Sequence, residues 1–466
     1  MDASFKFYAF LLIGIYLVVM VVTGLWFGRR EDTGDFTIGN RNIGLIPTAA
    51  SLAASFRDGG GIVFWITAGF AASYSGLWLF VGIAGSAIIL SIIGPKLRVE
   101  SDKDGHITIQ ERVRDYLGPL SARLSTIVSL IFGILLIALQ YHVTGNIFAE
   151  ILGVPKIVGV TVVALILIAY IVTGGYKSVV VTDTIQFFIM FSLVIIPLLI
   201  HPSMVDITNV KSVTEIPFFD GLALVLFGLN YLLIAPECWQ RIFSSRNDTT
   251  ARWGVPLTVI VLIIMTLSLI WLGMGLKQVY PTINKASLYT QMFQDNAAIA
   301  PWVLGYILLV FVSITMSTQS AACYGFVSTL AKIFRREQTR EAAAYVAFSR
   351  KGIVGALIVS AVLSLTVNKT VEYMFDIIGF VICLSPMYVL SAVASRLPSV
   401  AGLRDTSRAI LDRVVAAVTA LGILVFFAFV WAGVTNGGFI YSVIPWAGTA
   451  VLMILVVPLA MRKLNA

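Results

Sequence analysis

Charge is what this 466-residue sequence has least of: 12% of its residues are Asp, Glu, Lys or Arg, while 58% are hydrophobic. A water-soluble domain carries about 25% charged residues, so the composition excludes a soluble globular protein and implies a polytopic membrane protein. Cysteine is scarce as well. Cys238, Cys323 and Cys383 each fall in an apolar run, form no Cys-x-x-Cys pair, and offer neither a disulfide framework nor a zinc spacing. The three histidines, His106, His142 and His201, are scattered, which speaks against a metal centre. There is no Walker loop, no His-Glu-x-x-His and no Gly-x-Ser-x-Gly, and Gly59-Gly60-Gly61 is not followed by Lys-Ser/Thr. Enzymatic catalysis and an ATP-driven motor are therefore not expected, and no catalytic residue or cofactor is assigned. The net charge of +8 would suit nucleic acid only if the basic residues formed a patch; they follow membrane topology instead.

What the chain has in abundance is apolar runs. Runs of about twenty residues predict thirteen helices, centred on 7–28, 43–71, 75–96, 119–151, 154–172, 174–200, 218–243, 253–276, 298–333, 347–367, 371–395, 411–434 and 440–461. The first, Phe7–Gly28, lacks a basic n-region and a cleavage site and reads as a retained helix. With the N-terminus outside, the inner links and tail hold 25 Lys and Arg against six on the outer side, with Arg57 in the membrane. The positive-inside rule then predicts an N-out, C-in protein of the cell membrane. The longest links lie near 97–118, 201–217 and 277–297. The first holds an amphipathic pattern, His106–Gly118, expected to lie along the inner membrane surface.

Two stretches depart from plain hydrophobicity. Ser51–Gly61 places a charged pair, Arg57-Asp58, and three glycines inside an otherwise membrane-spanning run. Glycine weakens the helix, and a charge in hydrocarbon costs several kcal/mol, so the helix is expected to break where its free backbone lines a polar cavity. Transporters use such breaks to bind substrate and coupling ion; a glycine kink with a neutralised structural pair is the bland alternative. The second stretch runs from Gly174-Gly175 to Thr182-Asp183-Thr184-Ile185-Gln186. Asp183 and Gln186 are three apart and share a helix face, with Thr182 alongside, which suits an ion exit route or, equally, a structural bond to a neighbouring helix.

The Gly-Gly pair followed by a Thr-Asp-x-x-Gln helix resembles the signature of the sodium:solute symporter family. The resemblance takes in His106–Gly118, Trp239-Gln240-Arg241-Ile242-Phe243 and the Ser/Thr-rich helix Ser313–Lys332, and it covers nearly the whole chain. It implies an all-α LeuT-like core of two inverted five-helix repeats, 43–200 and 218–395, with 7–28 and 411–461 as peripheral helices. It also implies a second break in the helix 218–243, where Asn230, Pro236 and Glu237 make an interruption plausible in their own right. The family's sodium site would use carbonyls of Ala54, Arg57 and Val310 and a hydroxyl pair that falls on Ser313 and Ile314. Isoleucine supplies no hydroxyl, and an arginine stands where the family carries an uncharged residue. Sodium wants about six oxygen ligands, so Arg57 is expected to take the place of the ion, engaging carbonyls and Ser313. A slip in register would bring Thr315, Ser317 or Thr318 to the site instead.

The expected function is alternating-access transport of a small polar or ionic solute, with Na+ or H+ as coupling ion. The solute site is expected among Ser55, Phe56, Asp58, Gly59, Gln140, Tyr141, Asn230 and Glu237, and ion exit at Asp183 and Gln186. The expected surroundings are membrane lipid, with no nucleic acid partner. The rival reading is a membrane solute sensor acting through a signalling partner; the 466 residues hold no signalling domain, which favours transport. No motif selects the solute or sets the oligomeric state.

Overall fold

The computed structural model describes residues 3–28, 33–195, 216–279, 300–334, 342–397, 405–434 and 439–465. The links expected at 201–217 and 277–297, and the centre of the link after 332, lie largely outside them. Helices account for almost everything described. Those that matter here are α1 (Ala3–Gly28), α2 (Leu45–Phe56), α3 (Gly59–Ala72), α4 (Trp78–Asp104), α5 (Ile109–Tyr116), α6 (Pro119–Asn146), α7 (Lys156–Thr173) and α8 (Tyr176–Phe191). They are followed by α9 (Phe218–Ile234), α10 (Pro236–Phe243), α11 (Asp248–Val279), α12 (Pro301–Phe334) and α13 (Ala342–Leu363). The chain closes with α14 (Thr370–Val381), α15 (Ser385–Val393), α16 (Asp405–Trp431) and α17 (Phe439–Asn465).

Eleven of the described helices are long and apolar enough to cross a membrane, or twelve with the bent pair α9–α10 counted as a span. The expected thirteen would require α2 and α3 to form one span separate from α4. The two-sided hydrophobicity has a division of labour. Large apolar residues such as Phe7, Val18, Val22 and Trp26 on α1 stand exposed where lipid would cover them, while Phe5, Ile13 and Met20 on the same helix are buried against protein.

α2 packs on α8 and α11, α3 on α11, α9 on α4, and α12 on α1 and α6. Lipid supplies no hydrophobic drive between helices, so close contact must come from small residues that let backbones meet. Two glycine pairs do this. Gly69 on α3 lies against the Ile270 backbone while Gly273 on α11 lies against Ile66; Gly228 on α9 lies against Leu79 while Gly82 on α4 lies against Val225. Each broken helix thus has one glycine-mediated contact with a long unbroken neighbour.

The amphipathic stretch after α4 is docked rather than laid on the surface. Thr108 and Glu111 form a capping box that starts α5. Ile109, Gln110, Arg112 and Val113 are buried, and Arg112 donates to the Ser391 carbonyl at 2.9 Å and to Glu100 at 2.6 Å. Burial pushes the Asp115 carboxyl up, but the His106 hydrogen bond and the nearby Arg114 outweigh it and hold it below the usual carboxylate range.

Candidate functional site

The first helix breaks where the sequence places its charged pair. Arg57 (φ −86°, ψ 78°) and Asp58 (φ −90°, ψ 163°) leave the helical region between α2 and α3. The three glycines are not the break itself; they start the second half. Asp58 acts as the N-cap of α3, its carboxylate accepting from the Gly61 N–H at 2.7 Å. Gln140 on α6 takes the next free donor, its Oε1 accepting from the Gly59 N–H at 2.7 Å. A side chain at position 59 has no room, since a Cβ there would stand 2.8 Å from Thr315 on α12 and 3.0 Å from Gln140.

The second break is at Ala235, extended (φ −79°, ψ 112°) as the residue before Pro236 must be, and the two halves bend by 49°. Glu237 sits in the first turn of α10. Asn230, expected at the break, lies inside α9, where its amide donates to Leu226 and accepts from Ser385.

Between the two breaks lies a narrow cavity. Its polar lining is Ser55, Asp58, Tyr231, Glu237 and Thr318, with the Phe56 and Tyr231 rings 5.4 Å apart; Phe132, Leu136, Met374 and Ile378 supply apolar walls. Of the expected solute residues, Ser55, Phe56, Asp58 and Glu237 line it. Gly59 and Gln140 brace the break behind it, and Tyr141 and Asn230 are not among its lining residues. Tyr231, whose hydroxyl donates to Asp58 at 3.3 Å, was missed, although it follows Asn230 directly.

The expected ion site is differently furnished. Arg57 does not turn toward Ser313. Its guanidinium is buried against α11, donating to the Leu262 carbonyl at 2.7 Å and to Thr266 Oγ1 at 2.6 Å. Nor do Ser313 and Ile314 meet the end of α2. The hydroxyl that does belongs to Thr318, one turn further along, donating to the Ser55 carbonyl at 2.9 Å. Ala54, Val310, Ser313 and Ile314 are all buried, and Thr318, the residue that bonds the end of α2, lies four positions beyond Ile314.

Asp183 is the hub of a neighbouring buried cluster. Ser51 donates to it at 2.8 Å, and Ser317 and Ser320 donate at 3.1 and 3.2 Å. Arg241 on α10 donates to Ser51 at 2.5 Å and stands 3.3 Å from the Asp183 carboxylate, with Tyr176 under its guanidinium. Thr182 stays with its own helix, bonding the Ser178 and Val179 carbonyls, and Gln186 donates to Tyr16 on α1 at 2.6 Å. Arg241 lies in a stretch that carries the family resemblance, yet only the fold shows that it faces Asp183.

The family model described as "Sodium:solute symporter family" matches residues 36–215. The chain is 24% identical to the high-affinity proline transporter PutP of Bacillus subtilis (strain 168) over 465 residues, 91% of this chain and 92% of that one. Its fold is similar to that of a Na+-coupled sialic acid symporter in a substrate-bound outward-open state, with TM-score 0.79, 15% identity and 98% of each chain covered. It is also similar to Mhp1, a nucleobase-cation-symport-1 family transporter, with TM-score 0.63, 12% identity, and 92% of this chain and 95% of that one covered. The family resemblance read from the residues and the LeuT-like all-helical fold are both borne out.

Proposed function

We propose that this chain, a multi-pass secondary active transporter of the cell membrane and not an enzyme, moves a small polar solute through the cavity between its two helix breaks. The observation that carries the reading is the junction of the breaks: polar side chains and interrupted backbone meet at one cavity inside an apolar bundle. Irregular backbone at membrane depth is tolerated only where protein or a water-filled cavity satisfies it. Alternating access then rocks one part of the bundle about this space, opening it to each side in turn. The glycine contacts of α3 with α11 and of α9 with α4 support the division into two inverted repeats, 43–200 and 218–395, because each broken helix is matched with one unbroken partner. Thirteen spans with the N-terminus outside remain part of this proposal, resting on the lysine and arginine distribution. Nothing in the comparisons favours a sensory role.

Sodium is the proposed coupling ion, with a site one helical turn along α12 from Ser313 and Ile314. The carbonyls of Ala54 in α2 and of Arg57 just past its end would provide backbone oxygens, with hydroxyls from Ser317 and Thr318. Arg57 is no substitute for the ion, because its charge is engaged on α11. Thr318 is oriented toward α2 already, and Asp183, bonded to Ser317, lies on the way out. The likeness to the sodium:solute symporter family supports sodium over a proton. Uptake into proteoliposomes under an inward Na+ gradient, compared with a pH gradient in sodium-free buffer, tests this. The Thr318→Ala protein should need at least tenfold more Na+ for half-maximal uptake. Uptake indifferent to sodium, or driven by the pH gradient alone, would refute sodium coupling.

A further inference from the structure

Resting on the cavity as the solute site, we infer that its solute is an organic cation, an amine or ammonium compound, rather than a zwitterion or an anion. The first ground is what occupies the helix ends. In transporters built on broken helices, half-helix N-termini point their positive dipole ends at anionic groups of the substrate. Here both ends are already matched by the chain's own carboxylates. Asp58 caps α3, taking the Gly61 N–H, while Gln140 takes the Gly59 N–H. Glu237 occupies the first turn of α10, whose first residue is proline and has no N–H to give. A substrate carboxylate would meet two negative charges at these ends.

The second ground is the lining. Asp58 and Glu237 both line the cavity, 6% and 5% exposed, and among the described residues no Lys, Arg or His lines it. The two nearest guanidiniums are committed elsewhere: Arg57 to Leu262 and Thr266, Arg241 to Ser51 and Asp183. Asp58 has Gly61 and Tyr231 as donors, whereas Glu237 has its own backbone N–H, with the Arg241 guanidinium acting on it from a distance. Two buried carboxylates lining one cavity are expensive to keep charged, and an ammonium supplies a positive charge and donors between them.

The third ground is the charge balance. Around the breaks the buried carboxylates are Asp58, Asp183 and Glu237, and the buried guanidiniums are Arg57 and Arg241. A cationic solute brings a positive charge to the cavity that Asp58 and Glu237 line. The aromatic pair Phe56 and Tyr231 adds faces on which an alkylammonium can rest.

The test uses the full chain in nanodiscs of uncharged lipid and two sets of probes matched in skeleton. One set is pyrrolidine, L-proline and cyclopentanecarboxylate; the other is butylamine, 4-aminobutyrate and butyrate. Thermal shifts are measured in sodium and in potassium buffer, so that the ion's own charge is separated from the solute's. The amines should stabilise the protein, and their zwitterionic and anionic counterparts should not. Glu237→Gln, which leaves the Asp58 cap untouched, should weaken amine binding at least tenfold. Stabilisation by L-proline, 4-aminobutyrate or either anion matching that of the amines overturns the inference. So does stabilisation by no amine, or amine binding unchanged in Glu237→Gln. The transport reading fails by a different sign: an amine that binds in nanodiscs but is not carried into proteoliposomes.

Discussion

Two arginines reach the middle of the bundle, and the partners of each decide what it does. Arg241 and Asp183 are buried together with serine hydroxyls around them, so removing one charge strands the other. Breaking a buried pair from one side costs about 3–5 kcal/mol, while replacing both partners by apolar groups is often close to neutral. Asp183→Asn is therefore expected to lower thermal stability as well as transport. Asp183→Asn combined with Arg241→Met should regain most of the stability and none of the transport. Denaturation curves of the single and double variants in the same detergent decide it; wild-type stability and uptake in Asp183→Asn would assign the pair no role. Arg57 differs because its guanidinium faces α11. Arg57→Met should leave the sodium requirement of uptake unchanged, and a severalfold change in the Na+ needed for half-maximal uptake by that variant would put the charge back in the ion site.

At the scale of elements, both breaks are legible in the sequence for stated reasons. Arg57-Asp58 cannot continue an apolar span, and Pro236 forces Ala235 out of the helix. What the residues do not tell is where side chains on α12 point. Hydroxyls at Ser313, Thr315, Ser317, Thr318 and Ser320 leave several registers open, and only the packing of α12 against α2 and α8 selects Thr318 and Ser317. The same holds for Arg57, whose long side chain could have turned to either face. Tyr231 and Arg241 were invisible as site residues because their partners, Asp58 and Asp183, are respectively 173 and 58 positions away. The glycine contacts give this scale its own test. An added methyl at Gly228 would collide with the α4 backbone at Leu79 and Ile83, whereas nothing lies within 4 Å of a Cβ at Gly14. Gly228→Ala is expected to cost about 1–3 kcal/mol, the usual range for overpacking. Gly14→Ala should melt with the wild type, and equal melting of the two variants would deny the close α4–α9 contact.

The whole molecule combines an apolar shell with a small charged interior, and its orientation and its work are separate questions. Orientation is tested by cysteine accessibility, for which the buried native thiols Cys238, Cys323 and Cys383 leave a quiet background. A cysteine at Asp104 or Lys351 should react only from the cytoplasmic side, and one at Lys369 only from outside; the reverse pattern would invert the topology. The work is tested most directly by currents from proteoliposomes on a solid-supported membrane, after concentration jumps of amines, amino acids and organic anions. For the wild-type protein in sodium buffer, at least one amine should drive an inward current, and Glu237→Gln should abolish it. Silence across the whole panel, or a solute-driven current that survives unchanged in Glu237→Gln, would contradict transport through the cavity between the two breaks.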